Sequence, residues 1–253
     1  MDLLTCLIAV AGLCIGFLAG MLGAGPSILT VLLLTHAAGL DLERGITTSL
    51  VVVAVMSLVA LAPYAWEHAV VWRPAVSFGI ASTTAAFLAG RVASMLPEKV
   101  LLVVFLGCML LAAVVMLVRR PVADMRPARA DTGCMIALAG TGLLVGTMTG
   151  LIGLGGGFAV VPLLVVYART PVRSAIGASL LVIAVNTLAG LAGHLPHPQV
   201  DLRVAAYLGG TEAMGSLFGV RLSRRMSRAA LRRSFGAIML AAAVFMLGHT
   251  FIK

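Results

Sequence analysis

The sequence predicts an all-α integral membrane protein built from two homologous halves in inverted orientation. Hydrophobic residues occupy 61% of its 253 positions and charged residues only 11%, and the mean hydropathy is +1.11. A soluble domain of this size cannot bury that much apolar surface, so lipid must cover part of it. The second observation is an internal repeat, because shifting the numbering by 130 places the glycine motif at Gly20 on the motif at Gly150 without a gap.

Apolar runs close to the ~20 residues that a spanning helix needs recur through both halves. They lie at about 3–22, 26–38, 45–66, 74–92, 99–118, 133–152, 157–168, 175–195, 204–222 and 231–252. The runs 26–38 and 157–168 are short, and each follows a glycine break, so we expect half-helices or re-entrant segments there. The chain is therefore predicted to hold eight to ten hydrophobic segments, in a first repeat (1–118), a basic linker (119–132) and a second repeat (133–253).

Arginines crowd two loops, and their placement predicts the topology. One cluster lies in the linker 119–132 and the other in 224–233, before the last apolar run. Cytoplasmic loops are enriched in Lys and Arg, so both clusters are expected on the cytoplasmic face. Each half then crosses the membrane an odd number of times, which makes the halves an inverted repeat with both termini outside. An alternative count of eight spans places the two clusters on opposite faces, which the charge rule disfavours.

Composition and motifs exclude several classes of protein. The net charge of +9 does not indicate nucleic-acid binding, because the arginines sit in short loops between apolar runs. The four cysteines, at 6, 14, 108 and 134, lack metal-ligand spacing and are interpreted as small buried core residues. The GLGGG run at 153–157 lacks the strand and the acidic residue of a dinucleotide site. No catalytic motif is present, so neither an enzyme nor a metal or cofactor is predicted.

The two glycine breaks are candidate anion sites. A helix start carries unpaired N–H groups and a partial positive charge, and glycine lets an anion approach the backbone closely. Nearby hydroxyl and amide groups add neutral donors. The candidate substrate-binding residues are Gly23, Gly25, Ser27, Thr47, Thr48, Ser49, Gly155, Gly156, Gly157, Ser179 and Asn186. Two alternatives stay open: the glycines serve only close helix packing, and Thr47 and Ser49 cap a helix.

Glu212 is an acidic residue deep within an apolar run, 204–222, and Ser82 is its counterpart in the first repeat. Ionisable groups at such positions are costly and usually functional. Burial favours the neutral carboxyl, which makes Glu212 a candidate for proton coupling. The alternative is a neutral carboxyl that is hydrogen-bonded to a neighbouring helix.

The repeated motifs resemble those of the TauE/SafE family of sulfite-exporter-like permeases over nearly the whole chain. They read GAGPSILTVLLL with DLERGITTSLVV in the first half, and GLIGLGGGFAVVPLL with VRSAIGASLLVIAVNTLAG in the second. The resemblance implies transport of small organic or inorganic anions, often sulfur-containing, across the cytoplasmic membrane of a prokaryote. The first copy departs from the family pattern with Pro26 in place of glycine and Leu32 in place of proline, whereas the second keeps Gly156 and Pro162.

These observations together predict a secondary transporter that moves a small anion by alternating access. No ATP-binding motif is present, so the driving force is an ion gradient or the substrate gradient. The predicted partners are the anion and the lipid bilayer, and a homo-oligomer is compatible with the sequence. A passive anion channel and a non-transporting membrane scaffold or receptor are the alternatives. The scaffold is disfavoured because the longest polar loop, 119–132, offers little binding surface.

Overall fold

A computed structural model describes residues 3–23, 27–67, 72–92, 132–152, 157–166, 170–194 and 200–227, with single positions at 107, 110 and 114 and short helical pieces between 229 and 244. Every regular element in these ranges is helical. The helices are α1 (Leu3–Leu22), α2 (Ser27–Leu32), which continues as a π-helical turn (Leu33–Ala37), α3 (Leu42–Trp66), α4 (Trp72–Val92), α5 (Thr132–Ile152), α6 (Gly157–Val166), α7 (Val172–Gly193) and α8 (Leu202–Arg225).

Local sequence accounts for several helix ends. Gly23 closes α1 with φ of +81°, a left-handed conformation that glycine adopts without steric penalty. Asp201 precedes α8, and its carboxylate accepts the backbone N–H groups of Arg203 (3.0 Å) and Val204 (3.1 Å). This cap starts α8 two residues before the predicted apolar run. The predicted short runs are also helical, although the first has only six α-helical residues before it widens into the π-helical turn.

Helix α1 of the first half packs against α8 of the second half. On α1, Gly16 lies against the backbone of Glu212, and Gly20 lies against that of Ser216 one turn further along. A Cβ at either glycine would overlap the carbonyl oxygen opposite. Because the contacts advance in the same sense along both helices, α1 and α8 run parallel, and glycine is what lets their backbones touch.

The same contact recurs 130 positions along the chain. On α5, Gly146 lies against the backbone of Ser82, and Gly150 lies against that of Ala86, so α5 and α4 also run parallel. Position 146 is the repeat counterpart of Gly16, 130 residues further along the chain, and Ser82 is the repeat counterpart of Glu212, 130 residues before it. The 130-residue repeat of the sequence therefore appears in the helix packing as well. Helix α1 of the first half contacts α8 of the second, and α5 of the second half contacts α4 of the first.

Helices α3 and α7 occupy the centre between these two pairs. Helix α3 runs parallel to α8, because Val52 approaches Gly209 near one end and the hydroxyl of Tyr64 lies 2.8 Å from Ser223 near the other. The start of α7 lies beside the end of α8, where the Arg173 guanidinium donates to the carbonyl oxygen of Ser223 (3.2 Å).

The end of α7 lies beside the start of α3, because Gly190 approaches the side chain of Leu50. Helix α7 therefore runs opposite to α3 and α8. It runs parallel to α4, since Ser82 bonds to Asn186 while Gly90 approaches Gly193 further along. The six long helices of the described ranges thus form two sets of three, α1, α3 and α8 in one direction and α4, α5 and α7 in the other.

Apolar side chains cover much of the outer surface of the described helices. Leu58 is 50% exposed on α3, and its repeat counterpart Leu188 is 49% exposed on α7. Three helical segments in the described ranges are long and apolar enough to cross a membrane, and two shorter ones are apolar. The long ones are Glu43–Trp66, Ala75–Val92 and Val172–Gly193, and the shorter are Cys6–Leu22 and Ile136–Leu151.

The prediction that the cysteines are buried is wrong for two of them. Cys6 and Cys14 are exposed on α1. Cys14 lies two residues from both Gly12 and Gly16, which face α8, and residues two apart on a helix point in different directions. Cys14 therefore projects away from α8, toward the outer surface.

Candidate functional site

The first glycine break meets the helix that follows the second break. The carbonyl oxygen of Gly23 lies 3.5 Å from the Ser179 hydroxyl on α7, and a Cβ added to Gly23 would lie 2.5 Å from that hydroxyl. Its next neighbours would be the Val161 side chain at 3.1 Å and the Ile176 backbone at 3.4 Å. The structure therefore brings together two sequence-predicted site residues, Gly23 and Ser179, that belong to different halves.

Several predicted site residues fall at the edge of the described ranges or beyond them. Gly25, Gly155 and Gly156 lie outside the described residues. Ser27 and Gly157 are the first residues of α2 and α6. The two short helices thus begin at the predicted positions, and an anion role for these five residues remains a prediction.

The predicted hydroxyl cluster lies inside α3 and is buried. Thr47 donates to the carbonyl oxygen of Glu43 (3.1 Å), and Ser49 donates to that of Ile46 (2.7 Å). The helix-cap interpretation of Thr47 and Ser49 is wrong, because α3 already begins at Leu42. Both side chains bond back to the preceding turn, as serine and threonine commonly do within helices.

Thr48 and Ser179 use their hydroxyls differently. Thr48 Oγ1 accepts the backbone N–H of Asp201 (3.2 Å), which joins α3 to the start of α8. Ser179 donates to the carbonyl oxygen of Ile176 (2.7 Å), the same bond that its repeat counterpart Ser49 makes to Ile46. The two halves therefore hold this serine in matching local geometry.

Glu212 is fully buried at the contact between α8, α1 and α2. Its Oε1 accepts a hydrogen bond from the Thr30 hydroxyl (2.8 Å), while Oε2 has no partner within the described part of the chain. The backbone of Gly16 covers the backbone of Glu212 on the α1 side. Sequence reasoning missed Thr30, although it lies one turn after Ser27 on the same short helix.

Asn186 is the centre of a second buried polar cluster, between α7 and α4. Its Oδ1 accepts hydrogen bonds from the hydroxyls of Ser82 (3.0 Å) and Thr83 (2.8 Å). Its Nδ2 is buried and has no acceptor in the described ranges. Ser82 is the repeat counterpart of Glu212, so the two polar clusters occupy corresponding places on α4 and α8. From the sequence, Ser82 was noted only as the residue that stands in the first repeat where the second has Glu212, and Thr83 was not noted at all.

Basic side chains hold one end of the helix assembly together. Arg224, at the end of α8, pairs with Glu67 (3.0 Å) and donates to the carbonyl oxygen of Pro63 (3.2 Å). Arg173 and Tyr64 bond to Ser223 at the same end. These contacts join the end of α3, the start of α7 and the end of α8 on a single basic face.

Metal-ligating side chains do not cluster in the residues that the structure describes: no group of three His, Cys, Asp or Glu side chains is close enough to hold an ion. The fully buried polar side chains of the described ranges are hydroxyls, one amide and one carboxyl. Neutral donors of this kind suit a small, partly dehydrated anion.

Apolar helices long enough to span a bilayer, with polar groups buried between them, define an α-helical membrane protein. The chain belongs to the sulfite exporter TauE/SafE family, whose model matches residues 8–246. A probable membrane transporter protein of Xylella fastidiosa (strain Temecula1) is 33% identical over 240 residues, covering 92% of this chain and 91% of the relative. One from Methanocaldococcus jannaschii is 24% identical over 259 residues, covering 97% and 96%.

A shorter similarity extends to Bacillus subtilis. Its probable membrane transporter protein YdhB is 29% identical over 109 residues, which cover 43% of this chain and 44% of the relative. No solved structure matches the chain. The resemblance read from the repeated motifs is thus confirmed, and the chain is a member of a family of membrane transporters.

Proposed function

We propose that the protein is a secondary transporter that moves a small sulfur-containing anion across the cytoplasmic membrane of a prokaryote by alternating access. Sulfite, thiosulfate and organosulfonates form the proposed substrate class. The family description, sulfite exporter, supports this class. The buried N–H₂ group of Asn186, which has no acceptor in the described ranges, supports it as well, because a dehydrated anion needs hydrogen-bond donors.

An inverted repeat is the proposed relation between the halves. Helices α3 and α7 are repeat counterparts that run in opposite directions, which supports the inversion. Helices α1 and α3 run in the same direction, so the chain between them, which contains α2, must return to its starting side. The same argument applies to α6, between α5 and α7. Both short helices are therefore proposed to be re-entrant or half-spanning segments, a common feature of transporter sites.

The cytoplasmic face is proposed to be the basic end of the assembly. Helices α3 and α8 end there, and α4 begins there after a short connection at 67–71. Since α5 runs parallel to α4, it begins on this face as well, and the arginine-rich linker 119–132 immediately precedes α5. This arrangement supports one cytoplasmic face for both arginine clusters and the opposite face for the N-terminus.

The substrate is proposed to bind where the two glycine breaks meet the central helices. The single observation that carries this proposal is the contact of Gly23 with Ser179, which joins the break of one half to the central helix of the other. Movement of one half against the other would open or close this contact. The proposed lining is Gly23, Gly25, Ser27, Thr47, Thr48, Ser49, Gly155, Gly156, Gly157, Ser179 and Asn186.

Glu212 is the proposed proton-coupling residue. It is buried, and its neighbours within hydrogen-bonding distance are uncharged, so a proton gained or lost there changes the charge of a low-dielectric site. Its partner Thr30 lies on the short helix α2, close to the first glycine break. A change of protonation at Glu212 would therefore act directly on an element of the proposed substrate site.

Transport by the purified protein in proteoliposomes tests the proposal. Uptake of sulfite, thiosulfate, sulfoacetate and chloride should show saturable flux for at least one sulfur anion, together with counterflow exchange. Flux that rises without saturation would instead indicate a passive anion channel. Absence of flux for all four anions, in vesicles shown to contain folded protein, would favour the membrane scaffold or receptor.

A further inference from the structure

The amide oxygen of Asn186 faces two hydroxyl groups of α4. The Thr83 hydroxyl donates to Oδ1 at 2.8 Å, and the Ser82 hydroxyl lies within hydrogen-bonding distance of both Oδ1 (3.0 Å) and the carbonyl oxygen of Gly79 (3.2 Å). An amide whose oxygen accepts two O–H groups turns its N–H₂ group away from them. In the described part of the chain, that N–H₂ group meets no acceptor although Asn186 is fully buried.

Three other buried polar atoms in the described ranges lack a hydrogen-bond partner, but each of them belongs to a group that can satisfy its hydrogen bonding in another way. They are Ser57 Oγ, Glu212 Oε2 and Arg224 Nε. The Ser57 hydroxyl can rotate toward its own helix backbone, and the Arg224 guanidinium already pairs with Glu67. The second oxygen of Glu212 donates or accepts according to protonation. Asn186 Nδ2, by contrast, is only a donor, and the oxygen of the same amide is the atom that faces the two hydroxyls.

The position of Asn186 suits a ligand in the interior of the protein. It lies about one turn beyond the middle of α7, a helix that passes through the centre of the assembly. Its repeat counterpart on α3 is Met56, which is equally buried and has no hydrogen to donate. The donor is therefore present in the second half only, so a ligand that accepts from it contacts α7 in a way that α3 cannot match.

We propose that Asn186 Nδ2 donates hydrogen bonds to an oxygen of the transported anion, and that Ser82 and Thr83 are positioning residues that keep this donor free. The inference rests on the proposed function, since it assumes that a small anion enters the protein. A buried donor without an acceptor is unfavourable, so a ligand oxygen that supplies the acceptor is bound selectively. Such a site prefers sulfite, thiosulfate or a sulfonate to a cation.

Isosteric variants test the donor. Asn186→Asp preserves shape and the acceptor for Ser82 and Thr83 but replaces the N–H₂ group by an oxygen. At a pH high enough to ionise the buried carboxyl, loss of one hydrogen bond to a charged ligand should weaken binding by about 10- to 100-fold, and the negative charge should weaken it further. The measurement is titration of purified, size-exclusion-homogeneous protein with sulfite, thiosulfate and sulfoacetate. Thr187→Val is the matched control, because Thr187 is adjacent and buried and already donates to Ile183.

The positioning role needs a separate pair of variants. Thr83→Val removes one of the two hydroxyls that orient the amide and should weaken anion binding, whereas Thr83→Ser retains that hydroxyl and should keep wild-type affinity. A purely structural role would lower the melting temperature of Thr83→Val without changing the affinity of the folded protein. That result would overturn the positioning role.

The outcomes for the donor and for the function are distinguishable. If the wild type binds one of the three anions and Asn186→Asp binds it equally well, the donor proposal is overturned while the transporter proposal stands. If Asn186→Asp does not fold, unchanged affinity in a folded double variant Ser82→Ala/Thr83→Val overturns the inference in the same way. If the wild type neither binds nor transports any of the three, the proposed function itself fails.

Discussion

Gly16 and Glu212 lie backbone to backbone, so that any side chain on Gly16 would overlap the carbonyl oxygen of Glu212. The pair joins α1 of the first repeat to α8 of the second. The contact between Gly146 and Ser82 is its repeat counterpart. In both pairs, a glycine allows close approach directly behind a buried polar residue. The two polar clusters therefore depend on the glycines that back them.

Alanine at Gly16 or Gly146 should destabilise the protein. Overpacking a tight interface costs about 1–3 kcal/mol, which corresponds to a fall of about 2–12 °C in the melting temperature of a chain of this size. Thermal melting of the detergent-purified protein by size-exclusion recovery measures the effect. Gly140→Ala on α5 and Gly210→Ala on α8 are the matched controls, because a Cβ at either position meets nothing within 4 Å. Equal melting temperatures for Gly146→Ala and Gly140→Ala would contradict the tight packing.

Alanine at Gly23 should be more harmful than alanine at Gly39. Both glycines have positive φ, +81° and +69°, so both variants carry the backbone strain of about 1–2 kcal/mol. Only at Gly23 does the new Cβ also meet the Ser179 hydroxyl, since nothing lies within 4 Å at Gly39. Melting temperature and anion affinity should therefore fall further in Gly23→Ala.

Ser179→Ala in the Gly23→Ala background should restore part of the lost melting temperature, because it removes the hydroxyl that the Cβ meets. If Gly23→Ala and Gly39→Ala behave alike, the contact between the first break and α7 has no energetic importance. The substrate site would then have to be sought elsewhere.

Both arginine clusters should face the same side of the membrane. In a background without native cysteines, Ala128→Cys and Ser227→Cys should react with an impermeant thiol reagent from the cytoplasmic side. Val200→Cys, just before α8, should react only from the opposite side, because α8 ends at the basic face. Right-side-out and inverted vesicles provide the two exposures. Labelling of the first two positions from opposite sides would exclude the inverted arrangement.

Glu212→Gln should separate transport from proton coupling. Glutamine keeps the shape of glutamate and an oxygen that accepts from Thr30, but it does not titrate. If Glu212 carries the proton, the variant should bind substrate and exchange it by counterflow, yet fail to accumulate it when a pH gradient is imposed across proteoliposomes.

Thr30→Val is the matched control, because it removes the hydrogen bond and keeps the carboxyl. This variant keeps the titratable carboxyl and should still respond to the pH gradient, though less strongly than the wild type, because the hydrogen bond from α2 is lost. An unchanged response in Glu212→Gln would assign Glu212 a structural hydrogen bond and remove the proton role.

The sequence by itself determined the membrane character of the chain, the repeat and the places where its helices break. Composition and the length of apolar runs are local properties. The glycine breaks are visible in the sequence because glycine, which has no Cβ, adopts a left-handed backbone conformation without steric penalty, as Gly23 does. Glu212 was recognisable because a carboxyl within an apolar run is rare. The repeat of 130 residues was recognisable because corresponding glycines and serines keep their spacing.

Only the tertiary structure decided which helices and side chains meet. Thr30 pairs with Glu212 across 182 positions, and Ser82 pairs with Asn186 across 104. Periodicity tells which face of a helix is apolar but not which other helix covers it, so neither partner could be predicted. The pairing of α1 with α8 and of α5 with α4 depends on glycines of α1 and α5 that let the backbone of the other helix approach, a non-local property of packing. For the same reason, the sequence misplaced Cys14, whose exposure depends on where α8 lies.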